Sequence, residues 1–471
     1  MMEGTNFGWK VAEYKIPKIL DITILRKQLL NLYPNSALFE TSTGFQDIDG
    51  DDTTFMLDLL FEITLINGEW KIDGKFPFNK YTKFVYDILN SNDFELCSSF
   101  REITKFIQIP DSFPMVFMLS HSAARFFENI PNMKIHKSEP EVVFRIYKNI
   151  ISIDRELNLA LVKSLCYNGS DVDCSKKLIQ YIKEKHTIPI CLKKENIELK
   201  DITKREQFIQ AVNCANQYIE DGEIYQVLLC RTSLSKSNIN PIILYENLSL
   251  VNPSPYQYYI DLNNQYVISS SPELMLRIKN NVAQVRPIAG TMSKEDSRKI
   301  PLNKINKESA EHLMLVDLAR NDLARCSENG GVQVTNLMNI ESYGSINHLV
   351  STIQTEIKEN FDIWDLIRTN FPAGTMTGAP KIRAIELINK LEDSPRGLYS
   401  GFGGYFNSKG DGVFALTIRT IIGSPGNYKL CAGAGIVADS IPAAEWDETS
   451  TKLKSFAKAI NPKSGEKSET I

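Results

Sequence analysis

Strand-forming segments in this sequence arrive in adjacent groups rather than alternating singly with helices, and that order favours an α+β chain over a doubly wound parallel sheet. Residues 53–75, TTFMLDLLFEITLINGEWKIDGK, alternate apolar and polar positions around Asn-Gly, the signal of a tight hairpin. The run EVVFRIYKNIISIDRELNLALVK, beginning at Glu141, has the same character, and a helical pattern, FNKYTKFVYDIL, lies between them. Further on, the strand segments QYYIDL, QYVISSS, GVFALTIRTII and YKLCAGAGIVA accompany the strong helices ESAEHLMLVDLARNDLAR and PKIRAIELINKL. The polar stretch at 193–207, KKENIELKDITKREQ, is the best boundary, and beyond it a helix stops at Gly222 before a strand. This divides the chain into an N-terminal region over 1–195, a second region over 200–462 and a frayed tail over 463–471.

The 471 residues are 43% apolar and 23% charged, a globular composition, and 53 basic against 57 acidic side chains argue against a general nucleic-acid binder. The N-terminus has no apolar signal-peptide core and no run reaches membrane-spanning length, so a cytoplasmic protein is expected. The eight cysteines include no C-x-x-C pair and fit reduced, mostly packed thiols.

Two pairs of glutamates carry the first chemical signal. Glu445 and Glu448 are three residues apart, and with Lys452 they project from one side of a helix, beside the apolar stripe Leu453, Phe456 and Ile460. By itself that run fits a surface ion pair between Glu448 and Lys452. Glu308 and Glu311 repeat the spacing, in helical phase with Leu315, Leu318 and Ala319. Two such pairs leave two readings open: a shared cation, for which an all-oxygen set suits Mg²⁺, or a structural network with Arg or Lys. Glycine-rich segments RPIAGT, FPAGTMTGAPK and AGAGIVADS let backbone N–H groups approach an anion, although each alone is equally a tight turn. Together these features point to a small polyanion bound through Mg²⁺, backbone amides and basic groups such as Arg419.

At the same residues the sequence resembles the chorismate-utilising enzymes, and among them component I of anthranilate synthase. The resemblance runs from about Glu206 to Ile460 through GEIYQVLLCR, NPSPYQYYI, SSSPELML, RPIAGT, AEHLMLVDLARNDLAR, INHLVSTI, AGTMTGAPKIRA, RGLYSG, AGAGIVADS and EWDET. It implies a large α+β sandwich of two antiparallel sheets flanked by helices. It further implies that Glu311 and Glu448 bind Mg²⁺, with Glu308 and Glu445 close by. Glu273 would assist departure of the C4 hydroxyl, and His348 would serve the elimination of pyruvate. Tyr399, Arg419, Lys452, Gly433, Ala434 and Gly435 would clamp the enolpyruvyl carboxylate, while Thr291 and Thr375 would contact substrate.

Two positions bear on the nucleophile. Relatives that use water carry lysine where this chain has Gln226, and aminodeoxychorismate synthases often carry lysine where it has Ala289. Ammonia attacking C2 is the reading that remains. No G-x-C-x-G elbow occurs, so a separate glutamine amidotransferase subunit, and hence a hetero-oligomer, is implied. Departures such as Ser345 and Asn347 in YGSINHL leave open aminodeoxychorismate synthase, 2-amino-2-deoxyisochorismate synthase and an inactive tryptophan-binding homologue. Glu40 and Thr41 of LFETS, with Pro255, Tyr256 and Gln257 of NPSPYQ, match a site for L-tryptophan as inhibitor. Gln257 replaces a methionine there, and an amide without a partner against the indole would weaken binding.

Overall fold

The computed structural model describes residues 8–17, 21–42, 52–91, 95–167, 172–184, 199–263, 265–328, 331–343 and 346–460. The tail over 463–471, Ser345 and residues 193–198 of the boundary stretch lie outside them. The Asn-Gly signal is met, since strand Asp52–Ile66 turns through Asn67 and Gly68, at φ 52° and 81°, into Glu69–Gly74. Strand Val142–Asp154 likewise turns back as Leu159–Tyr167.

The long strands Asp52–Ile66 and Val142–Asp154 pair with each other, and two antiparallel arms leave that seam in opposite directions. The first arm runs through Ala37–Glu40, Tyr256–Asp261, Tyr266–Ser271, Thr420–Ser424 and Asn427–Ile436 to Gln226–Ser235. The second runs through Met115–Leu119, Phe402–Phe406, Gly412–Leu416, Leu274–Lys279 and Val282–Arg286 to Ile346–Glu356, which also pairs with Ile288–Ser293. The arms face each other: Tyr258 of the first donates to Thr417 Oγ1 at 3.0 Å, and Phe39 meets Tyr405 edge-on with ring centroids 5.1 Å apart. All strand pairings among the described residues are antiparallel, as the grouped order of strand segments requires.

GVFALTIRTII, which reads as one strand, is two. Gly412–Leu416 belongs to the second arm and Thr420–Ser424 to the first, and between them Arg419 takes φ 51°. The chain crosses from one arm to the other there, so a continuous β conformation is impossible.

Helices cover the outer faces. Ile22–Leu32, Pro241–Val251 and Pro442–Ile460 place Leu29, Tyr245, Leu453 and Phe456 in one core against the first arm. Leu96–Ile107, Ile363–Asn370 and Asn306–Ala324 place Phe100, Trp364 and Leu323 in the core of the second. The two glutamate-bearing helices, here α1 (Asn306–Ala324) and α2 (Pro442–Ile460), therefore belong to opposite arms. The six cysteines whose side chains are described are free thiols, buried except Cys214, and no described helix is long and apolar enough to cross a membrane.

Candidate active site

The site lies where α1 and α2 meet across the two arms. Gln226 opens its strand on the first arm, and its Nε2 donates to Glu311 Oε1 on α1 at 2.6 Å. Glu308 and Glu311 are pushed above the ordinary carboxylate range, first by burial and then by neighbouring carboxylates, Glu448 of α2 among them. Glu445 is raised by burial, with Glu448 adding to the shift and the Ser440 hydroxyl opposing it. Glycines make the room. A Cβ on Gly290 (φ 69°) would stand 2.7 Å from Glu308 Oε2, and one on Gly435 would stand 2.6 Å from Gln226 Nε2 and 3.2 Å from Glu311 Oε1.

The ion pair suggested by the spacing on α2 also exists, with Lys452 Nζ 2.6 Å from Glu448 Oε1, yet the same ammonium donates to the Gly433 carbonyl at 2.8 Å. It links α2 to the glycine-rich strand as well as pairing within the helix. As they stand, no three His, Cys, Asp or Glu side chains among the described residues converge tightly enough to coordinate a cation. The donor set nevertheless fits a hard cation. Glu308, Glu311 and Glu445 are each raised in part by the Glu448 carboxylate, so negative charge from two helices is crowded together, and Mg²⁺ keeps several waters and needs few direct ligands.

Glu273 is buried on the second arm, and desolvation lifts its carboxyl to about 8, against the opposing pull of Thr375 and the Ile288 N–H. It is protonated at neutral pH and able to donate. Thr375 stands beside it on the single turn Gly374–Met376. His348 is buried on strand Ile346–Glu356, with Nδ1 2.9 Å from the Gly290 carbonyl. A carbonyl only accepts, so Nδ1 carries the proton and Nε2 is the basic nitrogen. Burial, with Arg419 and Lys452 nearby, lowers the imidazole to about 4 and keeps it neutral.

Tyr399 and Arg419 complete the cationic side. Tyr399 is buried with its hydroxyl 3.2 Å from where a Cβ on Gly433 would be, and burial pushes its phenol up. Arg419 donates to Asn252 Oδ1 at 2.9 Å, and desolvation lowers its guanidinium.

The structure brings most of the expected residues together, with corrections. Ala434 turns its methyl into the apolar cluster of Phe208, Leu229 and Ile388, leaving only backbone for a ligand. Ala289 is buried at the irregularity before Gly290, opposite Leu349. The Thr291 side chain lies outside the described residues. Arg396, quoted within a motif but given no role from sequence, proves to be a buried hub; an arginine between proline and glycine was the available signal.

A second cavity, of about 480 Å³, is lined by Glu40, Thr41, Pro255, Tyr256 and Gln257, so those five residues gather as expected. The premise about Gln257 fails, however. Its amide is not bare: Oε1 accepts from Ser249 at 2.8 Å and Nε2 donates to Ser270 Oγ at 3.1 Å. Glu40, paired opposite it, gives its carboxylate to Arg26 at 3.0 Å. Both polar ends are occupied by partners on the helical side, so no penalty for an unpartnered amide arises.

Comparison with known proteins decides the family: the profile of the chorismate binding enzyme family matches residues 70–458. The chain belongs to the chorismate-utilising enzymes. Anthranilate synthase component 1 of Acetivibrio thermocellus is 37% identical over 358 residues, covering 71% of this chain and 72% of the relative. Aminodeoxychorismate synthase component 1 of Bacillus subtilis is 35% identical over 366 residues, covering 73% and 76%. The Aquifex aeolicus anthranilate synthase component 1 is 42% identical over 262 residues, 54% of this chain and 53% of that protein, so this match spans about half its length. Among solved structures, anthranilate synthase component I of Streptococcus pneumoniae superposes with TM-score 0.72 at 28% identity, covering 87% of this chain and 92% of that one. The isochorismate synthase MenF of Escherichia coli superposes with TM-score 0.70 at 18% identity, covering 96% and 95%, a likeness of fold alone.

Proposed function

We propose that this chorismate-utilising enzyme is an anthranilate synthase component I, which joins ammonia to chorismate and releases anthranilate and pyruvate. The observation that carries the reading is Gln226, an amide with no basic function, held on Glu311 at 2.6 Å where a water-activating lysine would stand. Ala289 at its position offers no lysine for a covalent step.

Glu308, Glu311, Glu445 and Glu448 would hold Mg²⁺, which when bound pairs with the ring carboxylate of chorismate. Tyr399, Arg419 and Lys452 bind the enolpyruvyl carboxylate, with Gly433 leaving the space beside the tyrosine. Glu273, neutral at working pH, protonates the C4 hydroxyl, which leaves as water while ammonia forms its bond to C2. The intermediate is 2-amino-2-deoxyisochorismate. His348 Nε2 then takes the C2 proton, the enolpyruvyl group leaves with a proton as pyruvate, and the ring becomes aromatic.

A glutamine amidotransferase subunit supplies the ammonia, and L-tryptophan fits the second cavity as inhibitor. The buried free thiols accord with a cytoplasmic enzyme. Aminodeoxychorismate synthesis is the second reading, favoured by the Bacillus subtilis relative. The test is the nucleophile. With Mg²⁺, chorismate should disappear in ammonium buffer, and ¹⁵N-ammonium should label the product. Isochorismate formed without ammonium would overturn the reading.

A further inference from the structure

Arg396 is 4% exposed, and all five of its N–H donors are engaged. Nε and Nη2 donate to the Glu392 carboxylate at 2.9 and 2.6 Å. Nη2 also reaches the Leu228 carbonyl at 2.6 Å, and Nη1 reaches the Met376 carbonyl at 2.8 Å and Ser400 Oγ at 3.2 Å. These acceptors belong to three separate segments. Leu228 follows Gln226 by two residues, Met376 follows Thr375, and Ser400 follows Tyr399. Glu392 reinforces the arrangement by accepting from the Cys230 N–H at 2.9 Å, on the Gln226 strand.

We propose that Arg396 is a positioning residue that fixes Gln226, Thr375 and Tyr399 relative to one another by clasping the backbone beside the first two and the Ser400 hydroxyl beside the third. A fold-stabilising ion pair needs only Glu392. The three remaining bonds end beside Gln226, Thr375 and Tyr399; the first two segments also touch directly, the Leu228 N–H donating to the Thr377 carbonyl at 2.8 Å, so Arg396 adds the loop of Tyr399 to that pair. A planar fork of five donors spans such a set, and a lysine ammonium with three donors does not. The proposal rests on assigning those three residues to the chorismate site. Reactive groups displaced by about 1 Å lose about 10²-fold in rate.

The test is a double-mutant cycle of Arg396→Lys and Tyr399→Phe, followed by chorismate consumption, with chorismate affinity measured by calorimetry alongside. Arg396→Lys is expected to lower kcat/KM for chorismate by about 10²-fold. The two losses should not multiply in the double variant, because the lysine variant has already misplaced Tyr399. Should Arg396→Lys fail to fold, Ser400→Ala removes only the bond to the tyrosine's loop, and a smaller, likewise non-multiplying loss is expected. Wild-type kcat/KM and chorismate affinity in a folded variant, or losses that multiply fully, would overturn the proposal. Consumption is blind to the product, so chorismate consumed without anthranilate refutes the proposed function and still decides the role of Arg396. If the unmutated chain consumes none, the same cycle in chorismate affinity decides it.

Discussion

Glu273 and the α1 and α2 glutamates make opposite demands on a carboxyl group, and the difference is set by surroundings. No cation among the described residues pulls on Glu273, so burial keeps its proton to about 8. Its proton affinity in the fold exceeds that of an ordinary carboxyl near 4.5, so the native state binds the extra proton between those values, and stability falls as pH rises across that window. Denaturant unfolding at several pH values should show that slope in the unmutated chain and a shallower one in Glu273→Gln. At constant free ammonia, kcat/KM for chorismate should likewise fall as pH rises through about 8. The glutamates proposed to hold Mg²⁺ should behave otherwise. Glu311→Gln and Glu448→Gln remove the charge that holds a cation while keeping the shape, and each should cost at least about 10²–10³ in turnover. Relief of like-charge crowding should leave the melting temperature unchanged or higher. Full activity with unaltered Mg²⁺ dependence in either variant would make the glutamates a structural network. These residues were legible from spacing and motif because their chemistry is unusual at a buried helix edge. The partners of Gln257 were not, since Ser249 and Ser270 come from a helix and a strand whose approach only the fold decides. Gln257→Met should therefore strand the Ser249 hydroxyl, while Ser270 Oγ keeps its bond to the Asn252 carbonyl; stability should fall by about 1–2 kcal/mol and tryptophan inhibition should stay as in the unmutated chain. Tighter inhibition on titrating tryptophan would restore the bare-amide argument.

The two helices matter as a pair because each brings its carboxylates from a different arm. The i, i+3 spacing within α1 and within α2 was visible in the sequence. That α1 rides on the second arm and α2 on the first was not, because hydrophobic phase gives a helix its buried face and not the sheet beneath it. The same holds for the crossing at Arg419, where β-rich residues on both sides conceal a left-handed conformation. Glycine supports the juncture at two strands. Gly435→Ala would place a methyl against Gln226 Nε2, and Gly290→Ala would add a clash with Glu308 to an unfavourable φ of 69°. Both should reduce chorismate turnover by about 10-fold or more through displaced side chains. Gly410, at φ 89°, shares the backbone strain of Gly290 but an added Cβ there would meet nothing within 4 Å; Gly410→Ala serves as the comparison for strain without contact and should keep its turnover. Equal turnover in all three variants would show that the glycines do not make room for the site.

At the scale of the whole molecule, a seam of two long strands carries two antiparallel arms, and the strands Ala37–Glu40 and Met115–Leu119 are integral to them. The cavity beside Thr41 and Tyr256 is framed by strands of the first arm and by Tyr405 of the second, so a ligand there touches both halves of the frame that holds α1 and α2. The α+β class was legible because hairpin signals and grouped strands fix pairing between chain neighbours. The meeting of the arms was not, since it depends on contacts between residues hundreds of positions apart. What this frame makes from chorismate is decided by its product. With Mg²⁺ and ammonium, fluorescence and mass analysis of the products should show anthranilate and pyruvate in equal amounts. Aminodeoxychorismate, isochorismate or salicylate as sole product would contradict the proposed function.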